Sequence, residues 1–206
     1  MIGGIKIIYQ AEQMFLMMKT MIIFILMFFF FMRKKKKYKK YKNYSLPSGR
    51  IFDLLAKDYF IIISGLMIKK KIFDRVGYFN QSFNIIGDFD LVMKMSKTFR
   101  AHSMNKPMIF YRYHENNFSK INTEMHFDEF KLWFEDQNQS NDEYFINNKK
   151  YFERKLISLE ITHLLLNGNK NMYLFKKIIN FPIIQKKIKY LIAFFISKKI
   201  IKYLMK

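Results

Sequence analysis

The chain contains no cysteine, which excludes disulfides, thiolate zinc sites and a cysteine nucleophile. Acidic residues are scarce: 16 Asp and Glu stand against 37 Lys and Arg in 206 residues, a net charge of +21. That balance favours anionic partners, whether phosphates, nucleic acid or an acidic membrane surface. Lys, Ile, Phe, Asn and Tyr all abound, which is also the composition that an AT-rich genome favours, so the charge has a mutational reading as well. Only seven glycines and three prolines are present. They form no Gly-rich phosphate loop, and neither an HExxH metal motif nor a nucleophile elbow occurs. His102, His126 and His163 have no metal-ligand spacing and read as structural or exposed residues. Half of the residues are hydrophobic, enough for a sizeable core and against global disorder.

Composition divides the chain into three parts: residues 1–45, 46–120 and 121–206. The first holds an uninterrupted apolar run of 12 at residues 21–32, after which eight of the ten residues 33–42 are basic. A membrane span needs roughly 20 apolar residues. Reaching that length means starting at Met14 and accepting Lys19 and Thr20, so a single-pass anchor at residues 14–32 and a buried segment both stay open. The basic cluster lies on the wrong side for a signal peptide. Tyr38 and Tyr41 interleave with its lysines, but no nucleic-acid-binding signature accompanies them. Specific nucleic-acid binding is therefore not expected.

In the middle part, residues 51–57 have helical spacing, and residues 59–68 (YFIIISGLMI) read as a buried strand with a kink at Ser64-Gly65. A helical turn at residues 70–76 is closed by Gly77. Gly87 and Asp88 open a helix over residues 88–99, with Leu91, Val92, Met95 and Phe99 on one face and Asp88 and Asp90 in its first turn. A second strand is predicted at residues 107–114. In the third part, helices are predicted at residues 126–136 and 143–166, the latter stopped by Asn167-Gly168-Asn169. No acid follows Glu160, while ten lysines do, and residues 183–206 alternate apolar pairs with lysines.

Two constellations carry possible chemistry. Asp88-Phe89-Asp90 places two carboxylates at the end of a Gly-containing loop, suited to holding a cation or taking a proton. The same spacing also suits a helix cap and a first-turn acid. In Tyr111-Arg112-Tyr113-His114, His114 has the chemistry to ligate a metal or contact a phosphate, and Arg112 to pair with a phosphate or a carboxylate. Loop positions without such a role fit both residues equally well.

The order of these pieces resembles the second half of a family 2 glycosyltransferase domain over about residues 45–120. The matching elements are Met67-Ile68-Lys69-Lys70, Val76-Gly77-Tyr78-Phe79-Asn80, the segment from Asp88 to Lys94, and the segment from Tyr111 to Ser119. The resemblance implies an incomplete α/β domain of the GT-A type, a mixed sheet with flanking helices, followed by a helical C-terminal region. It implies transfer of a sugar from a nucleotide-sugar donor, with a divalent cation (Mg or Mn), to a cell-surface glycan or lipid-linked acceptor. Asp88 falls where the family places its general base, Asp90 supports that loop, and His114 and Arg112 fall near the metal or diphosphate. Family members often carry Glu before the base, where this chain has Gly87.

The family's donor half ends in an Asp-x-Asp motif, and Glu12 is the only acid before Asp53 here. Residues 1–45 are thus either a membrane-associated replacement or the displaced reading of a truncated gene, in which FFFF and KKKK mark places for a frame slip. The chain alone is expected to be inactive. Its basic C-terminal helices are expected to lie against an anionic membrane, placing it in the cytoplasm at the inner face of the cell membrane. A non-enzymatic membrane-associated protein is the alternative.

Overall fold

The segment predicted as the first strand, residues 59–68, does not form one. In the computed structural model, which describes residues 47–104 and 122–196, it is irregular backbone interrupted by a 3-10 turn at Ile63–Gly65. Ile62, Leu66 and Lys69 do adopt extended dihedrals, as β-branched sequence favours. A strand also needs a neighbour to complete its hydrogen-bond ladder, and none lies beside this segment among the described residues. Tyr59, Phe60, Ile61, Leu66 and Ile68 pack against a helical core instead. The second predicted strand, residues 107–114, lies outside the described residues.

The expectation of an α/β fold with a mixed sheet is therefore corrected. About 68% of the described residues are helical and none belongs to a β-strand. The one pairing among them is an antiparallel bridge in which Gly49 and Ala101 exchange N–H···O bonds of 2.7 and 2.8 Å. The chain divides into two units at Ser45 and Leu46. All the described residues belong to the second.

That unit contains seven α-helices among the described residues: α1 (Phe52–Lys57), α2 (Phe73–Val76), α3 (Gly87–Thr98), α4 (Thr123–Gln139), α5 (Glu143–Asn167), α6 (Met172–Ile179) and α7 (Ile184–Phe195). The predicted turn at residues 70–76 is a 3-10 turn, Lys70–Ile72, running into α2. Gly77 ends it at φ 80°, a conformation that a side chain would strain. Helix α5 starts at Asp142, whose carboxylate accepts the Phe145 N–H at 2.9 Å. It stops at Gly168, whose left-handed backbone lets Asn169 N–H return to Leu164 O at 3.0 Å.

Helix α3 is buried on almost every side. Phe89, Leu91, Val92, Met93 and Met95 are all in the core, so the single apolar face read from the sequence understates its burial. A helix apolar around its circumference belongs inside a bundle, and α1, α2 and α4 are among the elements around it. Trp133 of α4 is the hub, with ring centroids 4.9 Å from Phe89, 5.1 Å from Phe152, 5.5 Å from Phe130 and 6.1 Å from Phe145. A second core gathers Ile161 and Leu165 of α5, Leu174 and Ile178 of α6, and Tyr190 and Ala193 of α7, with Phe181 between. The 25-residue α5 runs through both cores, which makes it the spine of the unit.

Candidate functional site

The first turn of α3 carries both predicted carboxylates, and the fold treats them differently. Asp90 is 2% exposed. One of its oxygens accepts the Trp133 indole N–H at 3.2 Å, and the other pairs with Lys94 at 2.7 Å, one turn along. Both oxygens are thus engaged by a neighbouring helix and by its own. Asp90 ties the first turn of α3 to α4.

Asp88 is half-buried and makes no ion pair with the described residues. Burial pushes its carboxyl above the usual range, against the pull of backbone amides. One of these is the Phe89 N–H, 2.7 Å from its Oδ1. A carboxylate destabilised by burial holds a proton more tightly, which is the property a base needs. Tyr59 stands close enough to feel its charge: burial first, and then Asp88, push the phenol well above its usual value. The Tyr59 hydroxyl is itself buried without a hydrogen-bond partner among the described residues. A buried donor in that state costs about 1–3 kcal/mol, so this corner of the fold can gain from an added acceptor.

The loop that delivers Asp88 is fastened from α4. Glu129, 5% exposed, accepts backbone N–H groups from Asn84 at 2.8 Å, Ile85 at 2.8 Å and Ile86 at 3.1 Å. Helix α3 has no side-chain cap of its own, because Ile86 occupies that position. Glu129 and Trp133 lie one turn apart on α4, so one face of α4 holds the loop before α3 and the first turn of α3 together. The sequence reading missed both residues. The available signal was the spacing of His126, Glu129, Phe130 and Trp133 at i, i+3, i+4 and i+7, which puts an acid on an inward face.

Among the described residues no group of three His, Asp or Glu side chains gathers at metal-binding distance. Arg112 and His114 lie outside the described residues, so the structure brings only Asp88 and Asp90 together. At Gly87 an added Cβ would meet Phe79 at an ordinary 3.8 Å, so sterics do not demand glycine there.

A cavity of about 260 Å³ opens between α1, α3, α4, α5 and α7, with Phe89, the residue next to Asp88, in its wall. Among the described residues, no helix is long and apolar enough to cross a membrane. Residues 14–32 lie outside them. No family model, curated protein or solved structure matches the chain, so the glycosyltransferase resemblance rests on its series of residues alone.

Proposed function

We propose that the chain supplies the acceptor side of a family 2-type glycosyl transfer, with Asp88 as the base. In that reaction Asp88 takes the proton of an acceptor hydroxyl, the freed oxygen attacks the anomeric carbon of the donor sugar, and the nucleoside diphosphate leaves. The observation that carries the reading is Asp88 itself. It is a half-buried carboxyl, raised by burial, on a loop that Glu129 fastens and beside an Asp90 already committed to Trp133. A base must be held within hydrogen-bond reach of the hydroxyl it serves, and this fastening supplies the rigidity. A divalent cation would neutralise the leaving diphosphate. With Glu12 the only acid before Asp53, the chain has no Asp-x-Asp there and is expected to transfer no sugar alone.

The test is saturation-transfer NMR of the purified chain with a panel of oligosaccharide acceptors, alongside an assay with nucleotide sugars and Mg or Mn. The expected result is millimolar acceptor binding that weakens several-fold in Asp88→Ala, with no turnover. Absence of acceptor binding, or sugar transfer by the chain alone, overturns the reading.

A second observation supports attachment to an anionic membrane. Helix α7 exposes Ile184 at 70%, Phe195 at 51% and Ile188 at 41%, a stripe at helical spacing. Lys186, Lys187 and Lys189 lie on the same helix, the composition of an interfacial helix. Cosedimentation with phosphatidylglycerol vesicles should fall markedly in Ile184→Ser/Ile188→Ser. Unchanged cosedimentation removes this reading.

A further inference from the structure

The cavity walls are basic as well as aromatic. Lys57 at the end of α1, Arg154 and Lys155 on α5, and Lys186 on α7 face it, against the single carboxylate of Asp58. Among the described residues, no carboxylate lies within ion-pair distance of any of the four cations. A folded chain normally separates unpaired like charges, because repulsion and desolvation both oppose gathering them. Here helix packing brings them to one opening from three helices.

The ring of Tyr151 gives them partial compensation. Lys150 lies 5.1 Å from its centroid, and Lys57 and Arg154 each lie 5.8 Å from it. Each such contact contributes about 0.5–1 kcal/mol at an exposed site, which is less than a full counter-charge would. Lys155 registers the deficit: its side chain is exposed overall, yet partial desolvation of its amine and then the nearby Lys186 lower its pKa, and Asp58 only partly restores it. Phe130 and Phe152 complete the lining as apolar residues, only 1% and 2% exposed.

We propose that this cavity binds a phosphate ester, its phosphoryl oxygens held by Arg154, Lys155, Lys57 and Lys186 and its organic part resting on Phe130 and Phe152. Arginine and lysine differ in use: Arg154 offers a planar fork to two oxygens, and the lysines act as mobile point charges. Bound phosphate would also supply the counter-charge that Lys155 and Lys186 lack. The inference does not rest on the glycosyl-transfer reading, because three of the four cations, Arg154, Lys155 and Lys186, lie outside the residues that carry that resemblance.

The experiment is calorimetric titration of the full chain with inorganic pyrophosphate at 0.15 M salt. Saturable binding with one site per chain is expected. Arg154→Gln/Lys155→Gln should weaken it at least tenfold, while Lys131→Gln/Lys176→Gln, with the same change in net charge on exposed positions away from the cavity, should change it less than twofold. Arg154→Lys/Lys155→Arg keeps the charge and should bind within about threefold of the parent, which separates lost contacts from lost folding. Equal weakening by both Gln pairs, or binding without saturation, overturns the proposal and leaves only the diffuse field of a +21 chain. Phosphatidylglycerol vesicles identify the source of the phosphate. Cosedimentation lost in Arg154→Gln/Lys155→Gln and displaced by pyrophosphate marks a lipid headgroup. Cosedimentation indifferent to that pair, with pyrophosphate binding dependent on it, marks a soluble ester.

Discussion

Trp133 donates its indole N–H to the carboxylate of Asp90 at 3.2 Å, joining the middle of α4 to the first turn of α3. The two residues are 43 apart in sequence, and both are buried. Because Lys94 takes the other oxygen, losing the indole leaves Asp90 half-satisfied in the core. Trp133→Phe should destabilise the protein by about 1–3 kcal/mol, the cost of an orphaned buried acceptor. Trp133→Ala, which also empties the hub of the core, should cost about 3–5 kcal/mol. Urea unfolding followed by circular dichroism measures both.

Glu129 should matter as much without touching any ligand. Its carboxylate receives three backbone donors, and hydrogen bonds to a charged acceptor contribute about 1.5–3 kcal/mol each at most. Glu129→Gln keeps the shape but loses the charge and one acceptor oxygen. A loss of about 2 kcal/mol is expected, with faster amide exchange at Ile85 and Ile86. Unchanged exchange at those amides would show that the loop holds itself.

Acid should weaken the fold through His126. Burial first, then Lys155, lowers its pKa from 6.5 to about 4, against a smaller pull from Glu129. Between those values the unfolded chain binds a proton that the folded chain refuses. The stabilisation is therefore complete above pH 6.5 and is lost as pH falls towards 4. With solvent screening, the loss is on the order of 2 kcal/mol. His126→Gln should flatten the pH dependence of Tm across that window. An equally steep profile in the variant would assign the effect to other groups.

The helix ends give two local checks. Asp142 caps α5 and also meets Lys97 at 3.0 Å. Burial alone would raise its pKa, but Lys97 and the Phe145 amide outweigh that and lower it. Asp142→Ala should cost about 1–2 kcal/mol. Gly168 sits at φ 81° with open space around an added Cβ, so Gly168→Ala should cost about 1 kcal/mol from backbone strain alone. Thermal unfolding of the two variants reads both effects.

The helices were legible because their signals are local. Gly77 and Gly168 stop helices where they were expected to, and Asp88 and Asp90 do occupy a first turn. The strand at residues 59–68 was misread because β-branched composition specifies extended backbone but cannot supply a partner. Glu129, Trp133 and the basic cavity were missed for the opposite reason. Each depends on residues brought together from distant positions, as when α5 and α7 carry Arg154, Lys155 and Lys186 to the end of α1. For Glu129, only its place on the inward face of a periodic helix gave any hint.

The proposed role of Asp88 as a base requires a carboxyl held by the loop that Glu129 fastens. The direct measurement is a carbon-detected NMR titration of the Asp88 carboxyl in the whole chain, repeated in Glu129→Gln. A pKa above the ordinary Asp value is expected in the parent, because burial outweighs the amide hydrogen bonds, with a return towards that value once the loop is released. An ordinary value in the parent would contradict it. So would a raised value indifferent to Glu129, because the loop would then have no part in holding the base.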